Sequence, residues 1–338
     1  MKQAVRARGA WRRRVARRAE QNDSRVLRGS RRRLGATPAR HPLAVVLVAA
    51  SCSVYLWSPA RARACAACAC GDPTVTVMGA QQPFDNRVRV ALEFQHRRDG
   101  IGGSGVDRIE LNEQRLSLSA AYAPWRWLML SVSVPFVRRE LSDVTLATDT
   151  LWGPGDAEVR ARAFVFRDRA FAPTHLLAIN TGMRLPTAPL DRDATGAYRE
   201  PELQAGSGSF DPLLGLSYAW FAHPWSAYVS EIVYIPSRGR ADFRVGTSWR
   251  GTHTLQYQFG TAFALRGGLD FRLEQRARSG STIEPDSGGF VLFLSPSMVW
   301  TPATDLVLSA SVHLPVLNAL YGLHDEGVFF GLGAAYDI

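Results

Sequence analysis

The sequence predicts an all-β protein: a single antiparallel transmembrane β-barrel of about 12 strands, preceded by a signal peptide. The first observation is a long, strict alternation of apolar and polar residues. From Asp242 to Phe259, over 18 positions, residues such as Trp249 and Leu255 occupy one face and residues such as Arg250 the other. A strand in a soluble protein usually has about five or six residues. Longer two-faced strands are typical of a barrel that crosses a membrane.

The second observation is an N-terminal export signal. Residues 1–40 hold 14 of the 40 Lys and Arg residues and only two acids, whereas the rest of the chain carries 26 bases and 28 acids. An apolar run from Leu43 to Trp57 follows, and Ala62-Arg-Ala64 is a small-residue cleavage candidate. About 15 apolar residues fall short of the roughly 20 that span a bilayer. We therefore predict that residues 1–64 are a basic leader and signal peptide, the alternative being a membrane anchor.

Residues 65–86 form the predicted periplasmic N-terminal segment, which contains Cys65, Cys68 and Cys70. Three thiols within six residues are candidates for a disulfide or a soft metal ion, although a structural zinc site normally has four ligands. No histidine follows Cys68, which excludes covalent haem attachment. In an oxidising periplasm we expect a disulfide between Cys65 and Cys68, because Cys68 and Cys70 would close a strained ring. No cofactor is predicted.

Residues 87–338 form the predicted barrel. Short connections, such as residues 124–126 and 222–224, alternate with long ones, such as 139–154 and 186–207. Short turns on one rim and long loops on the other are the asymmetry of an outer-membrane barrel, and an even strand count places both ends on the short-turn rim. The strands are expected at approximately 87–98, 109–123, 127–138, 155–166, 174–185, 208–221, 225–235, 242–257, 262–276, 288–300, 306–316 and 327–338.

Aromatic residues concentrate near the short turns rather than at strand centres. Amphipathic rings favour the level of the lipid headgroups, so this distribution indicates an interfacial girdle, while aromatic core packing is the alternative. The residues concerned are Trp125, Trp127, Phe164, Phe166, Trp220, Phe221, Trp225, Tyr257, Phe259, Trp300 and Tyr336.

The last strand and two internal segments carry a family resemblance. Phe330 to Ile338 alternates apolar residues as the carboxy-terminal signal of outer-membrane barrels does, but ends in Ile rather than an aromatic residue. Gly182-Met-Arg-Leu-Pro-Thr187, a long polar loop and Gly206-Ser-Gly-Ser-Phe-Asp211 resemble the outer-membrane transporter family linked to phenol meta-pathway gene clusters. Ala188 stands where that family usually has glycine. The resemblance implies a barrel and, more weakly, transport of small molecules.

Charged residues recur on one face of several predicted strands. One interpretation is a ladder of cross-strand ion pairs that fills a narrow interior. The other is a polar channel whose arginines bias passage toward anions. The lumen-lining candidates are Asp156, Glu158, Arg160, Arg162, Arg244, Arg250, Asp270, Arg272, Glu274 and Arg276.

The sequence does not support an enzyme. It has no His-Glu-x-x-His, Gly-x-Ser-x-Gly or P-loop motif. Outer-membrane phospholipases would need a His-x-Ser segment, but here His313 is followed by Leu314 and Pro315. The expected function is passage of an unidentified small molecule across the cell outer membrane, and the alternative is a structural or surface-binding barrel with a filled lumen. The expected partners are the outer-membrane lipid bilayer and the barrel-assembly machinery. Nucleic acid is not expected, because the folded body lacks a basic surface.

Overall fold

A computed structural model describes residues 87–102, 108–142, 148–170, 172–192, 196, 198–199, 204–239 and 242–338. The predicted leader and signal peptide (1–64) and the cysteine-containing segment (65–86) lie outside the described residues. Among the residues described, no helix is long and apolar enough to cross a bilayer.

The described chain is built from strands, most of which are long. They are β1 (Val88–Ile101), β2 (Ile109–Trp125), β3 (Leu128–Ser142), β4 (Thr148–Pro154), β5 (Glu158–Arg167), β6 (His175–Arg184), β7 (Asp211–Ala222), β8 (Trp225–Tyr234), β9 (Phe243–Arg244), β10 (Ser248–Phe259), β11 (Phe263–Glu274), β12 (Arg278–Ser279), β13 (Thr282–Ile283), β14 (Gly289–Leu294), β15 (Ser297–Ala303), β16 (Leu306–Leu320) and β17 (His324–Asp337).

These strands close into an antiparallel barrel with twelve positions in its wall. The hydrogen-bonded order is β10, β8, β7, β6, β5, β3, β2, β1, β17, β16, β14, β11 and back to β10. β4 and β5 both pair with β3, so they are two halves of one wall strand interrupted at residues 155–157. β14 and β15 both pair with β11 and β16, so they are likewise halves of one wall strand. The predicted single antiparallel barrel of about 12 strands is confirmed.

Two of the predicted boundaries are wrong. The strand expected at 242–257 begins only at Ser248, because Asp242 has a positive φ of 60° and β9 pairs instead with β12 in a separate three-stranded sheet. A side chain at Gly246 would collide with the backbone carbonyl of Gln275, so the chain approaches its neighbour too closely there to continue the wall. The connection expected at 139–154 contains the end of β3 and all of β4.

The two faces of the wall have the chemistry that the alternation predicts. In β11, Leu269 is 45% exposed, whereas the next residue, Asp270, is 5% exposed. The outer face is therefore apolar and the inner face polar, as lipid outside and a polar interior require. Aromatic rings pack against one another at the short turns, with Trp125 and Trp127 stacked at 5.5 Å.

A carboxylate organises one short turn. Asp168 Oδ1 accepts hydrogen bonds from the backbone N–H groups of His175 (2.9 Å) and Thr174 (2.8 Å). Because these donors favour the charged carboxylate, they hold the pKa of Asp168 below its ordinary value.

Candidate functional site

Eight of the ten predicted lumen-lining residues lie on the inner side of the barrel, seven on wall strands and one, Asp156, in the interruption between β4 and β5. They are Asp156, Glu158, Arg160, Arg162, Arg250, Asp270, Arg272 and Glu274. Arg244 and Arg276 lie elsewhere. Arg244 is exposed on β9 and donates to the carbonyl of Pro236 (3.0 Å), because that segment belongs to the small sheet. Arg276 lies beyond the end of β11, with its guanidinium 4.5 Å from the ring centre of Tyr321.

Contacts between wall strands that are not neighbours show that charged side chains span the interior. Arg272 on β11 forms an ion pair with Glu326 on β17, although β14 and β16 separate these strands. Arg160 Nη2 on β5 donates to Tyr234 Oη on β8 (2.6 Å), across β6 and β7. Side chains of non-adjacent strands can meet in this way only inside the barrel.

One charged cluster joins β1, β2 and β3. Glu113 accepts from Arg139 Nε (2.6 Å) and from Arg115 Nη2 (3.0 Å), and Arg97 pairs with Asp99 at 3.0 Å. Glu113 and Arg139 are almost completely buried. These five residues are not among the lumen-lining candidates predicted from the sequence. Arg97 and Asp99 on β1, and Glu113 and Arg115 on β2, recur at every second residue, which is the signal that could have identified them. The residues between them, such as Arg98 and Gln114, are also polar, so the alternation is weak there.

A second cluster surrounds Tyr234. Arg160 pairs with Glu158, which also lies 3.6 Å from Arg184. The guanidinium groups of Arg250 and Arg184 lie 4.4 and 5.1 Å from the ring centre of Tyr234. Delocalised guanidinium groups stack well on aromatic rings. The cluster thus combines ion pairing with cation–π contact.

Asp156 connects the two sequence segments that carry the family resemblance. Its Oδ2 accepts from the backbone N–H (2.6 Å) and hydroxyl (3.0 Å) of Ser207, and its Oδ1 accepts from the N–H of Ala188 (3.1 Å). Thr187 Oγ1 accepts from the N–H of Ala157 (2.8 Å). The segments that end in Thr187 and begin at Gly206 therefore meet at the interruption between β4 and β5. This holds both ends of the long connection against the wall.

A carboxylate, an imidazole and two hydroxyls form a third interior cluster. His313 Nδ1 lies 2.8 Å from Ser295 Oγ and 3.1 Å from Asp270 Oδ2, and its Nε2 lies 3.2 Å from Ser311 Oγ. The order carboxylate–imidazole–hydroxyl can activate a serine. However, β16 is paired on both sides at Ser311, so its backbone N–H groups there are used by the wall. At Ser311, therefore, the wall strand itself offers no free backbone N–H as an oxyanion donor.

No group of three or more metal-binding side chains is present in the described ranges. The polar interior groups there include ion pairs, hydroxyls, amides and the imidazole of His313.

No family model matches the sequence, and no curated protein matches it. The structure is similar to the crystal structure of the COG4313 outer membrane channel from Pseudomonas putida F1, with 15% identity, 77% of this chain and 98% of that chain covered, and a TM-score of 0.62. Lower scores relate it to the KdgM porin (10%, 73% and 98%, TM-score 0.39) and to the CymD monoaromatic hydrocarbon channel (10%, 75% and 89%, TM-score 0.39). The first of these similarities shows that the chain has the fold of an outer-membrane β-barrel.

Proposed function

We propose that this chain is an outer-membrane channel for a small molecule and that ion pairs across its interior close it at rest. The fold supports the first part, and the contacts between non-adjacent strands support the second. The proposal assigns no catalytic role to the interior. We also expect that the barrel-assembly machinery inserts the chain into the outer membrane.

The observation that carries the proposal is the pair Arg272–Glu326. Burying two charges incurs a desolvation penalty that their attraction often fails to recover, and apolar residues of similar volume usually serve stability as well or better. An interior that only had to be filled could thus be filled with apolar side chains. A closure made of ion pairs differs from an apolar core because water and a passing polar group can replace each partner.

We also propose that the chain belongs to the outer-membrane transporter family linked to phenol meta-pathway clusters. The support is the meeting of the two resembling segments at Asp156. A shared local sequence is expected where several backbone groups must converge on one carboxylate, because few residue types fit that arrangement. Ala188, where the family usually has glycine, uses its N–H for the same contact.

The alternative function is a structural or surface-binding barrel with a permanently filled interior. The burial of Arg272, Glu274 and Glu326, each 6% exposed or less, favours it. The two functions differ in whether the interior side chains can move apart.

Single-channel recording of the refolded full chain in planar bilayers tests the proposal. Glu326→Gln removes one of the two carboxylates that pair with Arg272, the other being Glu274 at 3.4 Å, so we expect more frequent opening and a shift of selectivity toward anions. Glu110→Gln, on the outer face beyond the apolar belt, is the matched control and should behave as the wild type. If both wild type and Glu326→Gln fold but pass no current, the filled-barrel alternative is favoured.

A further inference from the structure

The lipid-facing surface carries an ionisable pair near the middle of the barrel wall. Glu231 on β8 points outward, because its neighbours Ser230 and Ile232 are buried on the inner side. His253 on β10 also points outward, and its side chain is 47% exposed. His253 Nε2 lies 2.6 Å from Glu231 Oε1, and the indole N–H of Trp249 donates to Glu231 Oε2 at 2.6 Å.

The depth of this pair is unusual for charged chemistry. His253 is near the middle of β10 (Ser248–Phe259), so it lies far from both rims. Its outward neighbours along and across the wall are apolar: Leu255, Val229 and Leu269. Ionisable side chains at such depth are expensive to expose to hydrocarbon and generally mark a functional contact.

The surrounding residues are arranged around this pair. Gly251 lies directly across from Glu231, and a Cβ there would come 2.2 Å from the ring of Phe271 and 2.7 Å from Glu231 Oε2, so the glycine makes room for both. The ring of Phe271 meets Trp249 edge-on at 5.3 Å and His253 at 6.1 Å. We call Glu231, Trp249, Gly251, His253 and Phe271 the Glu231 patch.

One hydrogen-bonding atom of the patch remains available. Within the described parts of the chain, nothing lies within hydrogen-bond distance of His253 Nδ1. Acyl chains offer neither a donor nor an acceptor, and water is absent at this depth. The patch is therefore complete only when another polar group covers it.

We propose that a second copy of this chain covers the Glu231 patch. Copies in one membrane share orientation and depth, so a two-fold axis along the membrane normal places the patch against itself. The patch is self-complementary because it carries both an acceptor, the Glu231 carboxylate, and an imidazole, His253, whose Nδ1 can form a hydrogen bond to the other copy. Each imidazole can then meet the polar groups of the other copy at the same depth.

The wall around the patch suits such a contact. It presents large exposed apolar side chains from β7, β10 and β11, on both sides of β8, which would pack around a polar centre. They are Leu214, Leu216, Leu255 and Leu269. An apolar rim around a small hydrogen-bonded centre gives an interface in the membrane both packing and a fixed register.

Proximity crosslinking of the full chain in membranes tests the proposal. In a variant with all four native cysteines replaced by serine, Leu255→Cys places a thiol beside the patch. Leu118→Cys is the matched control, since it is similarly exposed on β2, on the opposite side of the wall. With a short bismaleimide, we expect dimers from Leu255→Cys at least ten times faster than from Leu118→Cys.

A second variant separates the role of the patch from nonspecific association between apolar surfaces. Glu231→Leu combined with His253→Leu makes the surface wholly apolar, so the barrel should keep its heat-modifiable gel migration while Leu255→Cys crosslinking falls to the control rate. Equal crosslinking from both cysteine positions in the otherwise native surface would overturn the proposal. So would unchanged crosslinking in the double-leucine variant, or a single-copy mass for the native chain in lipid nanodiscs. A single-copy mass is the result expected if a small amphipathic molecule, and not a second copy of the chain, covers the patch.

Discussion

Leu332→Arg places a charge near the centre of the lipid-facing belt and should destabilise the barrel strongly. Leu332 is 58% exposed on β17, with the apolar residues Phe94 and Ala310 beside it on the adjoining wall strands. No acid on the neighbouring outward positions can pair with an introduced arginine. The whole penalty for charge in hydrocarbon should therefore appear in the free energy of unfolding.

The expected magnitude follows from depth. A strand tilted by roughly 40° gains about 2.5 Å of depth per residue. Leu332 is thus about 10 Å from the level of Val328 and about 15 Å from that of Ile338, close to the middle of an apolar band about 25 Å tall. An arginine at the midplane costs about 2–4 kcal/mol, whereas one near the interface costs about 0–1 kcal/mol.

Tyr336→Arg is the matched control, because Tyr336 is on the same strand and face at similar exposure but close to the rim. Reversible urea unfolding from lipid vesicles, followed by tryptophan fluorescence, gives both free energies. Leu332→Arg should lose about 2–4 kcal/mol and Tyr336→Arg clearly less. Equal losses, or no loss for Leu332→Arg, would show that this face does not meet lipid.

Asp156→Ala removes the acceptor that holds both ends of the 185–210 connection, so limited proteolysis should cut that connection faster in a barrel that still migrates as folded. Unchanged cutting would contradict the role of Asp156. Glu113→Ala leaves Arg139 buried without its carboxylate and should lower the free energy of unfolding by about 3–5 kcal/mol, against a smaller loss when Glu113→Gln and Arg139→Met are combined. The hydrogen bonds that lower the pKa of Asp168 stabilise the fold fully at pH values above the ordinary aspartate pKa of 3.8. This contribution is lost as the pH falls through the lowered pKa of the folded state. A carboxyl NMR titration of Asp168 with a midpoint at or above 3.8 would contradict this prediction. Intact mass of protein taken from membranes should show a chain that starts just after Ala64 with one free thiol, and a chain retaining residues 1–40 would refute the signal peptide.

The periodicity of the sequence was sufficient to predict the wall. Residues that alternate over ten or more positions have one low-energy arrangement between lipid and a polar interior, so strand number, faces and most boundaries follow from local pattern. The prediction that a wall strand begins at Asp242 is wrong for a local reason that hydrophobic periodicity does not detect. Residues 242–247 continue the alternation, but the positive φ of Asp242 and the close approach at Gly246 end the wall strand at Ser248.

The interior network was predictable only in part, because its partners come from distant strands. The charges of Arg272 and Glu274 are visible in one strand, but nothing local indicates that Arg272 pairs with Glu326. The same holds for Ser295, His313 and Asp270, which three separate wall segments bring together. On the outer face, His253 occupies a position of the apolar pattern, and only the register with β8 places Glu231 beside it.

The pairing of β1 with β17 has a consequence for how the chain acquires its structure. Arg89 donates to both carboxylate oxygens of Asp337 at 2.5 and 2.6 Å, joining residues 248 positions apart. Loop-closure entropy must be overcome before so distant a contact contributes any stability, which makes such topologies slow to fold. Until that seam forms, both terminal strands expose unsatisfied backbone edges that can pair with other molecules. Newly made chains should therefore be most prone to aggregate just before closure, and the guanidinium–carboxylate fork of Arg89 and Asp337 stabilises the closed seam once it has formed.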